Sequence, residues 1–228
     1  MKKAGPVAIL VVVIGLLCVG MYASLQSQST VINYDLYDLN AVITGNKDNG
    51  NIGDHVKGNE EAPVILFEYV DYTCAYCAEI NEILNELVAK RSDDLAVVQR
   101  TFLLNNDPRV SAAAEAAGLQ GYWKSYADLL FEEQNNWAQA RGDELLEVFV
   151  TYFDQVSAGE GDLEKFKSDM TSKEVLAKVR FDTGIGAKLE IRGTPALYLD
   201  GELINPGANG STKEAVMRTL EDLIDARI

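Results

Sequence analysis

One junction limits the fold more than any other feature of the 228-residue chain: residues 64–70 (VILFEYV) run into Asp71–Cys77, and a helical pattern starts at once. The nearly continuous apolar run between Pro63 and Asp71 reads as a strand buried on both faces. After the cysteines, Ile80, Ile83, Leu84, Leu87 and Val88 recur at helical spacing and place one apolar stripe on an otherwise polar helix. Leu95–Leu104 reads as a second strand, which closes a strand–helix–strand unit with a right-handed crossover. The class is therefore α/β, a sheet covered by helices.

From Arg109 to about Lys188 the pattern is helical: an alanine-rich segment over 111–120, aromatics at helical spacing over 122–134, then 143–153, 162–170 and 182–188. Two short strands, 196–199 and 202–204, are joined at Asp200-Gly201, a tight-hairpin signal. A last amphipathic helix follows, capped by Ser211 or Thr212, with Val216, Leu220, Leu223 and Ile224 inward. Residues 24–60 read as linker and irregular lead-in, although Val31–Ile43 alternates enough to hold a short element; Asp48, Gly50 and Asp54 lack the spacing of a calcium loop, and a solvated loop is expected.

Lys2 and Lys3 precede an uncharged run, Ala4–Ala23, long enough to span a hydrocarbon core of about 30 Å. Cleavage after Ala23 would put the bulky Met21 at −3, so an uncleaved anchor with Cys18 inside it is favoured over a signal peptide, whose removal would leave a secreted protein. Lysines stay cytoplasmic, which sends the remainder outside. The whole chain carries 20 Lys+Arg against 35 Asp+Glu, a charge of −15 that becomes −17 without the two lysines and excludes an electrostatic nucleic-acid binder.

Outside the membrane only Cys74 and Cys77 remain, as Cys-Ala-Tyr-Cys where the strand ends and the helix begins. A helix N-terminus favours a thiolate, so Cys74 reads as exposed nucleophile and Cys77, one turn in, as shielded resolving thiol. A zinc site would need further Cys or His ligands, and the lone His55 does not supply them. A purely structural disulfide over so short a loop would add little stability. Glu68, a carboxylate inside the buried strand six residues before Cys74, is placed to exchange a proton with Cys77; the alternative is a solvated edge or a local lysine. Pro195 opens the hairpin strand after Gly193-Thr194, a position where a cis peptide bond is common. Trp123, Tyr126, Phe131 and Trp137 read as helical core before peptide groove.

The segments GNEEAPVILFEYVDYTCAYC, QGYWKSYADLLFEEQNNW and GIGAKLEIRGTPALYLDGELI together resemble the DsbA-like thiol–disulfide oxidoreductases, from about His55 to the C-terminus. The resemblance implies a thioredoxin-like fold over residues 61–228 with an all-helical insertion at about 107–188, preceded by linker 24–60 and anchor 1–23. It implies that Cys74 forms the mixed disulfide, Cys77 resolves it, and Pro195 is a cis-proline facing the sulfurs. Thr194 would offer backbone hydrogen bonds to a substrate peptide, Tyr76 would contact it, and Glu68 matches the family's buried acid. Ala75 and Tyr76 depart from the residues frequent between the cysteines of relatives, and Asp107-Pro108 stands where His-Pro is frequent. The implied function is a membrane-anchored oxidant of exported proteins, reoxidised by a quinone-linked membrane partner. A reductase or isomerase on the same site, or a non-catalytic chaperone-like peptide binder, are the alternatives. No metal or organic cofactor is called for, because a dithiol carries two electrons itself.

Overall fold

Strand β2 (Val64–Val70) forms where Val, Ile, Phe and Tyr crowd together, and it lies at the centre of a five-stranded sheet. The order is β1 (His55–Gly58), β3 (Leu95–Thr101), β2, β4 (Ala196–Leu199) and β5 (Glu202–Ile204). The β2–β3 pair is parallel and the other three are antiparallel. The computed structural model describes residues 31–228, of which 34–228 form one compact unit. The expected anchor, with Cys18, lies outside the described residues; among the described residues no helix is long and apolar enough to cross a membrane.

Helix α1 (Ala75–Lys90) turns its stripe inward, so that Ile80, Ile83, Leu84 and Leu87 pack on Leu66, Val97 and Leu199. The last helix of the chain, Lys213–Asp225, adds Val216, Leu220 and Ile224 to the same layer. Each fully buried side chain of this kind contributes about 1.5–3 kcal/mol. Of the two cap candidates, Thr212 makes the bond: its Oγ1 accepts from Ala215 N at 3.3 Å. The β4–β5 turn has positive φ at both Asp200 and Gly201, the geometry that two-residue hairpins demand.

Between β3 and β4 stand six helices: α2 (Arg109–Gly118), α3 (Trp123–Glu132), α4 (Gln134–Trp137), α5 (Gly142–Val156), α6 (Leu163–Asp169) and α7 (Lys173–Lys188). Lys213–Asp225 is thus α8. Small alanines of α2 let Tyr126 and Leu130 of α3, Phe149 and Phe153 of α5 and Phe166 of α6 close into a second core. Trp123, Tyr126, Phe131 and Trp137 are all buried in it, as the core reading of these aromatics required. Val70, Tyr72 and Cys77 belong to that core too, so the insertion seals the inner end of the Cys-Ala-Tyr-Cys motif.

Two expectations need correction. The lead-in carries more regular structure than the short element over 31–43, which is a 3-10 turn at Tyr34–Leu36: His55–Gly58 pairs with β3 as an edge strand of the sheet. The 48–54 stretch is not a solvated loop either, because Asn49 and the side chain of Asp54 are buried. Asp54 is drawn in by Arg100 of β3 and Lys178 of α7, 2.6 and 3.1 Å away.

Candidate active site: a cysteine pair at a strand–helix junction

The sheet delivers the chain to the site through Asp71. Its Oδ1 accepts from Thr73 N (2.8 Å) and Thr73 Oγ1 (2.6 Å), and its Oδ2 from Leu104 N (2.8 Å). Its backbone oxygen accepts from Cys74 N at 3.0 Å, which fixes Cys74 in extended conformation as the residue before the first turn of α1. A second clamp comes from the insertion, where Gln134 Nε2 donates to Tyr72 O (2.6 Å) and Cys74 O (3.1 Å). Neither Asp71 nor Gln134 was singled out from sequence. An Asp two residues before a Thr after a strand is an Asx-turn signal that could have found the first; nothing local points to the second.

Both cysteines are free thiols. Cys74 is half-buried, and its Sγ donates to Thr194 O at 3.3 Å. The Thr194–Pro195 peptide bond is cis. Cys77 is fully buried, and burial pushes its thiol well up, against smaller opposing hydrogen bonds from Thr194 and Asp71. Beside the pair opens a recess of about 620 Å³ lined by Tyr76, Pro195, Tyr198, Ile191, Arg192 and Leu203. Tyr76 stands at its rim with 38% of its surface exposed. The structure thus sets Cys74 against Thr194 O, with Pro195 and Tyr76 lining the recess alongside and Cys77 buried.

Glu68 is fully buried, which removes the solvated-edge alternative. It shares the α1-facing side of β2 with Leu66 and Val70, since alternate residues of a strand face one way. Gln99 Nε2 donates to its Oε2 at 2.8 Å, while Oε1 has no partner. Glu68 therefore hydrogen-bonds Gln99 and not Cys77. Burial raises its carboxyl above the ordinary value, with the Lys57 cation opposing. Lys57 is itself buried, and burial lowers its ammonium against the pull of Glu68 and Asp128. Its Nζ donates to Asn81 Oδ1, one turn after Cys77 on α1, and lies 3.5 Å from Asp128 Oδ1. His55 stands apart from the cysteines, stacked on Trp123 and 2.8 Å from Glu115 Oε2. Among the described residues no group of three or more His, Cys, Asp or Glu could hold a metal.

A two-cysteine helix start facing a cis-proline, on a mixed sheet with helices on both sides, defines a thioredoxin-class protein. The thioredoxin family model matches residues 50–222, and the chain belongs to that family. Within it the chain is DsbA-like, with its helical block inserted between β3 and β4. It is 27% identical over 194 residues to the probable disulfide bond formation protein D of Bacillus anthracis, covering 79% of this chain and 87% of that one. It is 34% identical over 154 residues to the Na(+)/H(+) antiporter NhaA 1 of Mycolicibacterium vanbaalenii; the match takes in 65% of this chain but spans only 23% of the antiporter. The oxidised BdbD structure from Bacillus subtilis shares the fold at a TM-score of 0.63, with 19% identity, 82% of this chain and 98% of that one covered.

Proposed function

We propose that the chain is an extracytoplasmic thiol–disulfide oxidoreductase that passes a Cys74–Cys77 disulfide to reduced, partly unfolded exported proteins. One observation carries this reading: Cys74 Sγ reaches the surface against Thr194 O beside the cis Pro195, while Cys77, three residues on, is fully buried. A client thiolate can approach only Cys74. Its attack forms a client–Cys74 bond and breaks the Cys74–Cys77 bond, and Cys77 leaves as a thiolate. That thiolate is costly where burial has raised the thiol so far, so it takes up a proton. Glu68, on the same side of the sheet with its carboxyl raised by burial, is the donor, its proton reaching Cys77 through water. A second client thiolate then attacks the client sulfur of the mixed disulfide, and Cys74 leaves with the bonding pair. The client gives up two electrons and two protons: the electrons stay on the cysteine pair, one proton restores Glu68 after its transfer to Cys77, and the other goes to Cys74 or, while Cys74 stays a thiolate, to solvent. Thr194, Pro195 and Tyr76 hold the client's extended chain, with the recess beside them taking one of its side chains.

Residues 1–23 would keep the protein at the membrane with its catalytic part outside. A quinone-linked membrane partner, implied by the DsbA-like resemblance, would take the electrons away without any cofactor bound to this chain. Equilibrating the full chain with glutathione buffers tests the direction of flow. A potential near about −120 mV supports an oxidant; one near about −270 mV, the range of reducing thioredoxins, sinks that assignment. Cys74→Ser should abolish exchange altogether, and retained client protection in that variant would favour a non-catalytic peptide binder.

A further inference from the structure

A primary amide offers two N–H donors, and Gln134 commits both to the backbone beside the nucleophile. Its Nε2 lies 2.6 Å from Tyr72 O and 3.1 Å from Cys74 O, 62 and 60 residues away in sequence. Among the described residues no other side chain of the insertion hydrogen-bonds the backbone of residues 71–77. Within the junction, Asp71 holds Thr73 and Cys74 N, and Cys77 N donates to Cys74 O at 3.2 Å; from outside the insertion only side-chain bonds arrive, among them Leu104 N on Asp71 Oδ2 and Cys74 Sγ on Thr194 O. Cys74 O is therefore shared between its own helix and a residue that opens α4 of the insertion.

From this geometry we infer that Gln134 is a positioning residue through which the helical insertion sets the redox poise of the cysteine pair. The inference rests on the exchange reaction proposed above. Closing a disulfide requires Cα atoms within about 4.4–6.8 Å and a narrow range of dihedral angles, so its equilibrium follows how well the two thiols are held in register. Asp71 fixes the amide side of Cys74 and Gln134 fixes its carbonyl side. Loss of the second clamp lets the Cys74 backbone wander from Cys77, which costs the disulfide more than the dithiol.

The test is the equilibrium constant of the full-length wild type, Gln134→Leu and Gln134→Glu against glutathione, with thermal unfolding of each reduced chain alongside. Gln134→Leu keeps the bulk and removes both donors, and should shift the equilibrium about three- to tenfold toward the dithiol, tenfold being about 30 mV for two electrons. Gln134→Glu, which turns a carboxylate on two carbonyl oxygens, should shift it further. An unchanged equilibrium in a folded Gln134→Leu chain overturns the inference, and a lowered unfolding midpoint with no change in equilibrium marks Gln134 as merely structural and overturns it too. Should Gln134→Leu fail to fold, Gln134→Asn, with both donors on a shorter arm, is measured instead; a wild-type value there is the overturning result. A wild-type chain that holds no glutathione-exchangeable disulfide refutes the proposed function, an outcome separate from either of these.

Discussion

On the sheet face turned to α7, Arg100 uses all five of its N–H donors: two on Asp54 Oδ2, one each on Leu39 O and Ala41 O, and one on Tyr69 Oη. Lys178 completes the set against Asp54 at 3.1 Å and Asp182 at 2.7 Å. On the opposite face, under α1, Lys57, Glu68, Gln99, Asn81 and Asp128 make a second buried cluster, with Glu68 Oε1 and Gln99 Oε1 unpartnered. In the first cluster burial alone would raise Asp54, but Lys178 and Arg100 overturn that and hold its carboxyl low. In the second burial prevails, so Glu68 is raised and Lys57 lowered. Saturation makes a charge cluster a fastener, here pinning the lead-in to the sheet. Incomplete saturation leaves a carboxyl raised above its ordinary value, and that cluster lies beneath the helix that carries the cysteines.

The largest effect should come from breaking the fastener. Arg100→Leu leaves Asp54 buried beside Lys178 alone and should destabilise the chain by about 3–5 kcal/mol in urea unfolding, with exchange by the remaining folded molecules unchanged. A loss below about 1 kcal/mol would show that the two clusters do not differ in the way described. Glu68→Gln is the matching change on the other face. It keeps a hydrogen bond to Gln99 and removes the proton, so stability should move by less than about 1 kcal/mol. Formation of the mixed disulfide, followed by stopped flow as the oxidised chain meets a two-thiol peptide, should slow by about a hundredfold, the low end for a positioned acid–base group. An unaltered rate of formation would take Glu68 out of the chemistry.

These clusters also mark where sequence stopped being legible. The strand–CxxC–helix junction and the Asp200-Gly201 hairpin were readable because their causes are local, a buried run ending in a helix start and a turn that needs positive φ. Helix α7 was recognised only from Asp182, although it begins at Lys173. Lys178 and Asp182 point inward there, and by periodicity they read as a surface face. Gly184 and Gly186 added to the concealment: a Cβ at either would strike the Tyr34 or Phe102 ring, so these residues mark close packing and not a helix end. Strand β1 was missed for a similar reason, since Lys57 reads as solvent-facing until Asn81 and Asp128 arrive from distant segments. Polar residues buried by remote partners leave no periodic trace, and Gln134 belongs with them.

The smallest effect is the sharpest test of the contrast, because Glu68 and Asp54 should titrate in opposite senses. Glu68 is raised on folding, so above the ordinary carboxylate range of about pH 4–5 the folded chain keeps a proton that the unfolded chain has lost. Its contribution is therefore complete below the unfolded value and disappears as pH rises through the folded one. Asp54 is depressed on folding, so the unfolded chain binds the extra proton; its contribution is present above the unfolded value and is lost as pH falls through the folded one. Asp182, which burial raises despite Lys178, slopes with Glu68; it drops out of the Glu68→Gln difference, but the Asp54 charge helps raise it, so part of its slope stays in the Asp54→Asn difference and blunts the rise there. Urea stability is measured from pH 3 to 8 for wild type, Glu68→Gln and Asp54→Asn, and each variant's curve is subtracted from wild type. The Glu68 difference should fall with rising pH and the Asp54 difference should rise, whatever constant offset Asp54→Asn carries from unpairing Arg100 and Lys178. Two slopes of the same sign would mean that both carboxylates are governed by the same balance of burial and cation. The distinction between a saturated fastener and an open proton site would then have no physical basis.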